Sequence, residues 1–311
     1  MAKDRLQRDV IIIGAGFAGL TAALYASRMN LSVLVLESEI VGGQIVNAHG
    51  IENYPGIPDI AGRDLIAAVQ GQAEKFGAVI DEFDLIEKVD LKAVPKIVET
   101  GDHIYEAGAV IIASGMARRK MPLPEASRYD GRGIHYCELC DGHMYGGKDI
   151  AVMGGGNAAL DAASFLTKYA RNLYIIHRSE FRADEVTVAK IKSNPKVKIF
   201  LETEIRNLQG EGRLESLHLY DKKEAKEWDL PVAALFVNIG VVPNTSLFAG
   251  QVAINQEGRI IAGEDCRTDI PGVFAAGDVR AKEIRQLTTA AADGTTAALL
   301  AGKYLDALKE E

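Results

Sequence analysis

The stretch Val10-Ile11-Ile12-Ile13-Gly14-Ala15-Gly16-Phe17-Ala18-Gly19 decides the fold. Four β-branched residues in a row read as a fully buried strand. The glycine pattern then opens an apolar-periodic helix expected to reach about Met29, and a second buried strand is expected over 33–36. Glu37 follows, near the ~20-residue spacing at which a dinucleotide site places its acid. In such a site Gly14 permits the tight turn, Gly16 lets backbone approach a pyrophosphate, and Gly19 lets helix and strand pack closely. The helix N-terminus offers positive partial charge to the phosphates. A carboxylate at Glu37 accepts hydrogen bonds from ribose hydroxyls and repels a 2′-phosphate, which points to FAD or NAD and away from NADP.

The same grammar returns further along the chain. A strand over 150–153 leads into Gly154-Gly155-Gly156-Asn157-Ala158-Ala159, then a helix over 157–170 and a strand over 173–177. Two such units imply an α/β protein with two Rossmann-like, three-layer dinucleotide-binding domains, each with a small β-meander. The second unit ends in His177-Arg178-Ser179-Glu180-Phe181-Arg182 instead of an acid. Guanidinium groups at that place recognise a 2′-phosphate by charge-assisted hydrogen bonds. A solvated mixed-charge loop is the alternative reading.

Between these units, 42–62 holds five Gly and two Pro and reads as a loop. A helix is expected over 63–76, short alternating strands over 79–106, and a buried strand over 109–113. The polar, Pro-containing segment 116–133 is a candidate linker. More strands follow near 197–237, then a strand end at 272–278 and a final helix over about 284–308.

Composition narrows the function classes. Of 311 residues, 48% are hydrophobic and 25% charged, which excludes a disordered chain, a collagen and a coiled coil. The formal net charge of −8 lacks the footprint of a nucleic-acid or anionic-membrane binder. Glycine, at 31 residues, exceeds the usual ~7%, as close backbone approaches require. No stretch reaches the ~18 apolar residues of a membrane helix. The charged start, Met-Ala-Lys-Asp-Arg, is not a signal peptide. Three cysteines make no disulfide scaffold, so a reducing cytoplasm is expected.

Cys137-Glu138-Leu139-Cys140 precedes the second unit. A CxxC near a βαβ pattern reads as a redox dithiol, because two intervening residues let both sulfurs reach bonding distance across one turn. Zinc is the rival, with His135, Cys137, Cys140 and His143 as ligands. A structural zinc site draws its second pair from about 12 or more residues away, which favours the dithiol. Cys266 reads as a small buried apolar residue.

In order and spacing, these motifs resemble the low-molecular-weight thioredoxin reductases nearly end to end. Gly42-Gly43-Gln44 with Ile51-Glu52-Asn53-Tyr54-Pro55-Gly56 is similar to the family's flavin-contact loop. Cys137-Glu-Leu-Cys140-Asp141-Gly142 resembles its CATCDG stretch. Gly272-Val-Phe-Ala-Ala-Gly277-Asp278 with Ile284-Arg285-Gln286 resembles its closing FAD signature. The resemblance implies FAD in a domain made of both chain ends, 1–117 and 245–311. The segment 118–244 is then the pyridine-nucleotide domain carrying the dithiol. It implies a homodimer with thioredoxin as partner and domains that swivel between two orientations.

Site residues follow from the same resemblance. FAD contacts are expected from Gly14, Gly16, Phe17, Ala18, Gly19, Glu37, Gly43, Gln44, Asn53, Ala113, Gly277, Asp278, Arg285, Gln286 and Leu287. NADPH contacts are expected from Gly154, Gly156, Asn157, Ala158, His177, Arg178 and Arg182. The last helix would point backbone N–H groups near 285–287 at the flavin N1 and C2 oxygen, where charge builds on reduction. Asp278 would hydrogen-bond the ribityl or phosphate region. Cys140 would face the flavin, Cys137 would attack thioredoxin, and Asp141 would be the general acid or simply a turn-former.

The chain departs from the family in two places that bear on function. The family's 2′-phosphate motif is similar to HRRDxFR; here it is HRSEFR, one residue shorter and one arginine poorer. NADPH is the expected donor, with NADH or ferredoxin as alternatives of the same fold, and a flavin-dependent small-molecule dithiol oxidase as a further one. His135 stands where the family often has a small residue. It either packs, the preferred reading, or shifts a thiol pKa.

Overall fold

A computed structural model describes residues 3–48 and 50–310; Met1, Ala2, His49 and Glu311 lie outside the described residues. The chain divides into two compact units, Met1–Ala117 with Pro243–Glu311, and Arg118–Val242.

The first unit is built on β1 (Asp4–Ile13), α1 (Phe17–Arg28), β2 (Val33–Glu37), α2 (Gly62–Lys75), β3 (Val79–Glu82), β4 (Ile86–Asp90), β5 (Lys96–Thr100) and β6 (His103–Ile112). The sheet runs β3-β2-β1-β6-β5-β4, with Val273–Ala275 pairing β6 as well. The β1, β2, β3 and β6 ladders are parallel, and β4-β5-β6 is an antiparallel meander. β1 begins six residues before the apolar run, because its first half pairs with the polar half of β6, Asp4 opposite His103. The expected separate strand at 109–113 is the buried end of β6. That strand pairs antiparallel with β5 in its first half and parallel with Val273–Ala275 in its second. Val10 and Ile12 face α1 and the C-terminal helix Leu287–Glu310, while Ile11 and Ile13 face Val89, Val98, Tyr105 and Phe248. Alternate residues of one strand thus bury two cores, as a sheet covered on both sides requires.

The second unit repeats this plan. Its parallel sheet runs Val197–Phe200, Asn172–Ile176, Asp149–Met153, Ala234–Val237, Ile134–His135. The helices Asn157–Leu166 and Glu185–Lys192 lie on one face, and the meander Thr203–Gln209, Ser216–Asp221, Lys226–Pro231 packs over the other. The helix expected to reach 170 ends its regular turns at Leu166. The linker reading of 116–133 is corrected for most of its length. Met121, Ala126 and Tyr129 are buried in the core of the second unit, around a 3₁₀ turn opened by Pro124.

The C-terminal helix begins at Leu287, three residues later than its apolar pattern implies. Its buried Asp293 explains where it sits. Asp293 Oδ2 accepts hydrogen bonds from the Gly277 N–H (2.9 Å), Arg280 Nε (2.9 Å) and Lys282 Nζ (2.9 Å), and Oδ1 accepts from Arg280 Nη2 (2.7 Å). One carboxylate therefore ties the helix to the 277–282 loop. Burial alone would raise the Asp293 pKa, but hydrogen bonds from Arg280 and Lys282 outweigh it and hold the carboxyl below its ordinary range. A depressed folded pKa contributes stability that is present above the unfolded value and lost as pH falls through the folded one.

Replacing Asp293 by Ala leaves two cations buried without their partner, a loss of about 3–5 kcal/mol. Urea unfolding at pH 7 is expected to show it. The wild-type midpoint should decline below about pH 4, the ordinary carboxylate range, and the variant should lose that part of the acid limb.

Candidate active site

The first glycine loop lies at the C-terminal ends of β1, β2 and β6, the edge at which open α/β sheets hold ligands. Gly14 has φ +105°, and a Cβ there would come 2.5 Å from the Ala113 carbonyl. A Cβ on Gly19 would overlap the Gly14 carbonyl, so turn and helix touch through backbone alone. Gly16 is different. It is the N-cap of α1, its backbone is extended, and no protein atom stands within 4 Å of a Cβ built on it. No side-chain hydrogen bond caps this helix, and its first N–H groups have no partner within the helix.

Several of the expected flavin residues of this unit stand against that loop. Gly43 approaches Gly16, Gly277 abuts Ala18, and Phe17 meets Tyr54 edge to face at 5.5 Å. Glu37 Oε2 accepts the Ala15 N–H (2.8 Å) and Oε1 the Glu39 N–H (3.0 Å). A carboxylate has about four acceptor sites, so capacity for hydroxyl donors remains. Gln44 Nε2 donates to the Met116 carbonyl (2.9 Å), and Asn53 Nδ2 to Gln286 Oε1 (3.4 Å). Asp278 is part-exposed, 3.9 Å from Lys282 Nζ. Arg285 donates to the Lys282 carbonyl, and its Nε is buried without a partner. The expectation for N–H groups at 285–287 needs one correction. The Gln286 N–H is taken by Thr289 Oγ1 (3.1 Å), because a threonine three residues on competes for it.

In the second glycine loop, Gly154 has φ +148° and a Cβ on it would overlap the Asn238 carbonyl. A Cβ on Gly155 would overlap the buried ring of His177, which therefore forms the loop's wall. Burial first, then Arg182 and Arg178, lowers the His177 pKa and so disfavours the charged ring. Gly156 caps the helix Asn157–Leu166 with nothing near a Cβ, as Gly16 does. Asn157 and Ala158 are exposed at the helix start, and Asn157 Oδ1 accepts the Asp184 N–H (2.9 Å). Arg178 and Arg182 are exposed beside this loop. Both glycine cradles therefore fit a dinucleotide: backbone donors and empty space stand where phosphates are held.

Cys137 and Cys140 are joined as a disulfide. Cys137 is the N-cap of the one-turn helix Glu138–Asp141, and its sulfur accepts the Cys140 N–H at 3.2 Å. Glu138 pairs with Arg118 (3.1 Å), whose Nη1 also donates to Asn238 Oδ1 (3.1 Å). His135 does more than pack. Its Nδ1 lies 2.9 Å from Asp141 Oδ2 and its Nε2 2.6 Å from the Tyr145 hydroxyl. Among the described residues no group of three or more His, Cys, Asp or Glu is arranged to hold a metal ion. Cys266 is buried, and burial first, with the charge of Asp293, pushes its thiol up to about 12. Tyr145, Arg118 and Asp293 were not expected from the sequence. The available signal for Asp293 was a lone acid on the apolar face that carries Gly294, Ala297 and Ala301.

Two dinucleotide cradles and a CxxC disulfide in one chain define a class, and comparison with known proteins gives its name. The chain belongs to the pyridine nucleotide-disulphide oxidoreductase family, whose model matches residues 8–294. It is thus a flavoprotein oxidoreductase of that family. It is 48% identical over 304 residues to the 34.2 kDa protein in the rubredoxin operon of Clostridium pasteurianum, covering 97% of this chain and 99% of that one. It is 39% identical over 312 residues to thioredoxin reductase of Listeria innocua, covering 100% and 98%. The crystal structure of Lactococcus lactis thioredoxin reductase matches with a TM-score of 0.88 at 32% identity, over 96% and 99% of the two chains. Among the described residues no helix is long and apolar enough to cross a membrane.

The open space at Gly16 gives a direct test of the first cradle. A Cβ on Gly16 meets no protein atom, so the Gly16→Ala apoprotein should keep its unfolding free energy in urea within about 1 kcal/mol, the scale of a changed N-cap. Flavin absorbance per chain should fall sharply on purification and not return on reconstitution.

Proposed function

We propose that this protein is a thioredoxin reductase in which the first unit binds FAD, the second binds NADPH, and electrons pass through Cys137–Cys140 to oxidised thioredoxin. The observation that carries this reading is the closed Cys137–Cys140 disulfide in the same unit as the second glycine loop. Full-length relatives named thioredoxin reductase support it. A flavin, when bound, supplies the two-electron chemistry that couples a hydride donor to a disulfide.

The chain's own residues then divide the work. Backbone N–H groups at the starts of α1 and Asn157–Leu166 hold the two pyrophosphates. Glu37 selects a ribose without a 2′-phosphate, and Arg178 with Arg182 selects one that has it. Asn53, Gln44, Ala113, Gly277, Asp278, Arg285, Gln286 and Leu287 line the flavin's approach. Cys140 accepts electrons, Cys137 exchanges with thioredoxin, and Asp141 protonates the leaving thiolate. The working form is a homodimer in the cytoplasm.

The shortened HRSEFR motif favours a second reading, in which NADH or reduced ferredoxin is the donor. Anaerobic titration separates them: the reductant that bleaches the flavin at stoichiometric addition is the donor. If NADPH is the donor, the double variant Arg178→Ala, Arg182→Ala should raise its KM about tenfold or more, since each lost charge-assisted bond is worth roughly 1.5–3 kcal/mol. Turnover with NADH should change little.

Thioredoxin-dependent NADPH oxidation tests the main reading. Cys140→Ser should lose turnover entirely while the flavin is still bleached by its donor. Undiminished turnover in that variant would remove the dithiol from the reaction.

A further inference from the structure

His135 lies in the edge strand Ile134–His135, directly opposite Phe236 in the ladder. It is 3% exposed, and its ring stacks on that of Phe236 at 5.4 Å between centroids. Tyr145 closes the pocket, edge-on to both rings at 5.2 and 6.1 Å. The imidazole therefore has one position. An apolar ring at 135 would fill this site without burying two polar nitrogens. Both nitrogens are instead engaged, Nδ1 by Asp141 and Nε2 by Tyr145.

Asp141 links this buried ring to the dithiol. It follows Cys140 in sequence, its N–H donates to the Cys137 carbonyl (3.1 Å), and its carboxyl is about one-third exposed. Tyr145 holds its proton firmly, because burial and then the charge of Asp141 raise its pKa, against Arg213. A lone aspartic acid is almost fully ionised near neutrality, which makes it a poor proton store there. An imidazole is the side chain whose ordinary range spans that pH.

We propose that His135 is the proton store for the dithiol, discharged through Asp141, with Tyr145 as the residue that pins its far nitrogen. The proposal rests on Cys137–Cys140 being the redox-active pair. When the disulfide takes up two electrons, its S–S bond breaks and two thiolates form, one of which stays ionised as the nucleophile toward the next disulfide. Asp141 takes the Nδ1 proton of the His135 imidazolium and then passes a proton to the other thiolate. An S–H bond forms, the Nδ1–H bond breaks, and Asp141 ends as the carboxylate it was. His135 is left neutral with its Nε2–H donating to the Tyr145 oxygen, so no tyrosinate forms. Water recharges the pair through the exposed side of Asp141. The charged and titratable groups facing this ring are Asp141 from the CxxC helix and Tyr145 from the following turn, with Arg213 acting on Tyr145 from the loop before Ser216. The strand Ala234–Val237 contributes only Phe236.

His135→Phe keeps a ring against Phe236 and removes both nitrogens; Tyr145→Phe keeps the packing and removes only the hydroxyl. The flavin-loaded protein, reduced with dithiothreitol, is alkylated with iodoacetamide across pH 5–9. The wild type should show an inflection beyond that of the reacting thiol. His135→Phe should lose it, and Tyr145→Phe should move it. In thioredoxin turnover, His135→Phe should fall about a hundredfold at pH 7, the scale of general-acid catalysis, and lose the decline toward high pH. Flavin bleaching by the donor should be unchanged. Identical alkylation profiles in wild type and both variants would overturn the proposal. Should His135→Phe fail to fold, an unmoved inflection in Tyr145→Phe overturns it alone. If the wild type does not reduce thioredoxin, the reading above fails, and the alkylation profiles still decide the proton store.

Discussion

Two backbones in contact are the constraint on which the first unit rests. The carbonyl of Gly14 occupies the place where residue 19 would carry its Cβ, and the carbonyl of Ala113 does the same for residue 14. Strand β1, helix α1 and strand β6 therefore meet with no side chain between them. The start of α1 has no side-chain cap, and no protein atom stands within 4 Å of a Cβ built on Gly16. A phosphate held there would be met by oriented N–H dipoles at short range. The second unit reaches the same arrangement with other atoms: the Asn238 carbonyl under Gly154 and the His177 ring under Gly155.

That repetition was legible in the residues because everything it needs is local. Buried β-branched runs, glycines at fixed offsets and a helix behind them fall within thirty residues, and period and spacing are enough to read them. The places where the sequence misled have a common physical cause. β6 changes environment halfway along. His103–Ala107 alternates like a half-exposed strand, Gly108 makes room for Leu305, and Ala109–Ile112 is buried on both faces. Two patterns in one strand look like two strands. The segment after Met116 looks like a linker because its apolar residues, Met121, Ala126 and Tyr129, follow no helical or strand period, yet they are core.

The candidate site divides along the same line. The dithiol and both cradles are visible as motifs, but the surroundings that give them chemistry are contributed from a distance. Tyr145 comes from the turn after the dithiol and bonds the His135 ring, and Phe236 comes from a distant strand and stacks on it. Arg118 reaches Glu138 and Asn238 at once. Asp293, sixteen residues after Gly277, fixes the loop that carries Asp278. Such partners carry no spacing rule, and only the folded chain brings them together.

The shared strand β6 also sets an order of assembly. Its second half has β1 on one side only until Val273–Ala275 arrives on the other, and the cover that α1 gives one face of β1 is completed only when the helix beginning at Leu287 is made. On a ribosome, the inserted middle unit has all of its own strands in hand well before that. The amino-terminal half-sheet must wait, its cover incomplete, through the synthesis of another whole domain. A chaperone that shields a nascent open sheet therefore has more to do for this topology than for two domains strung end to end.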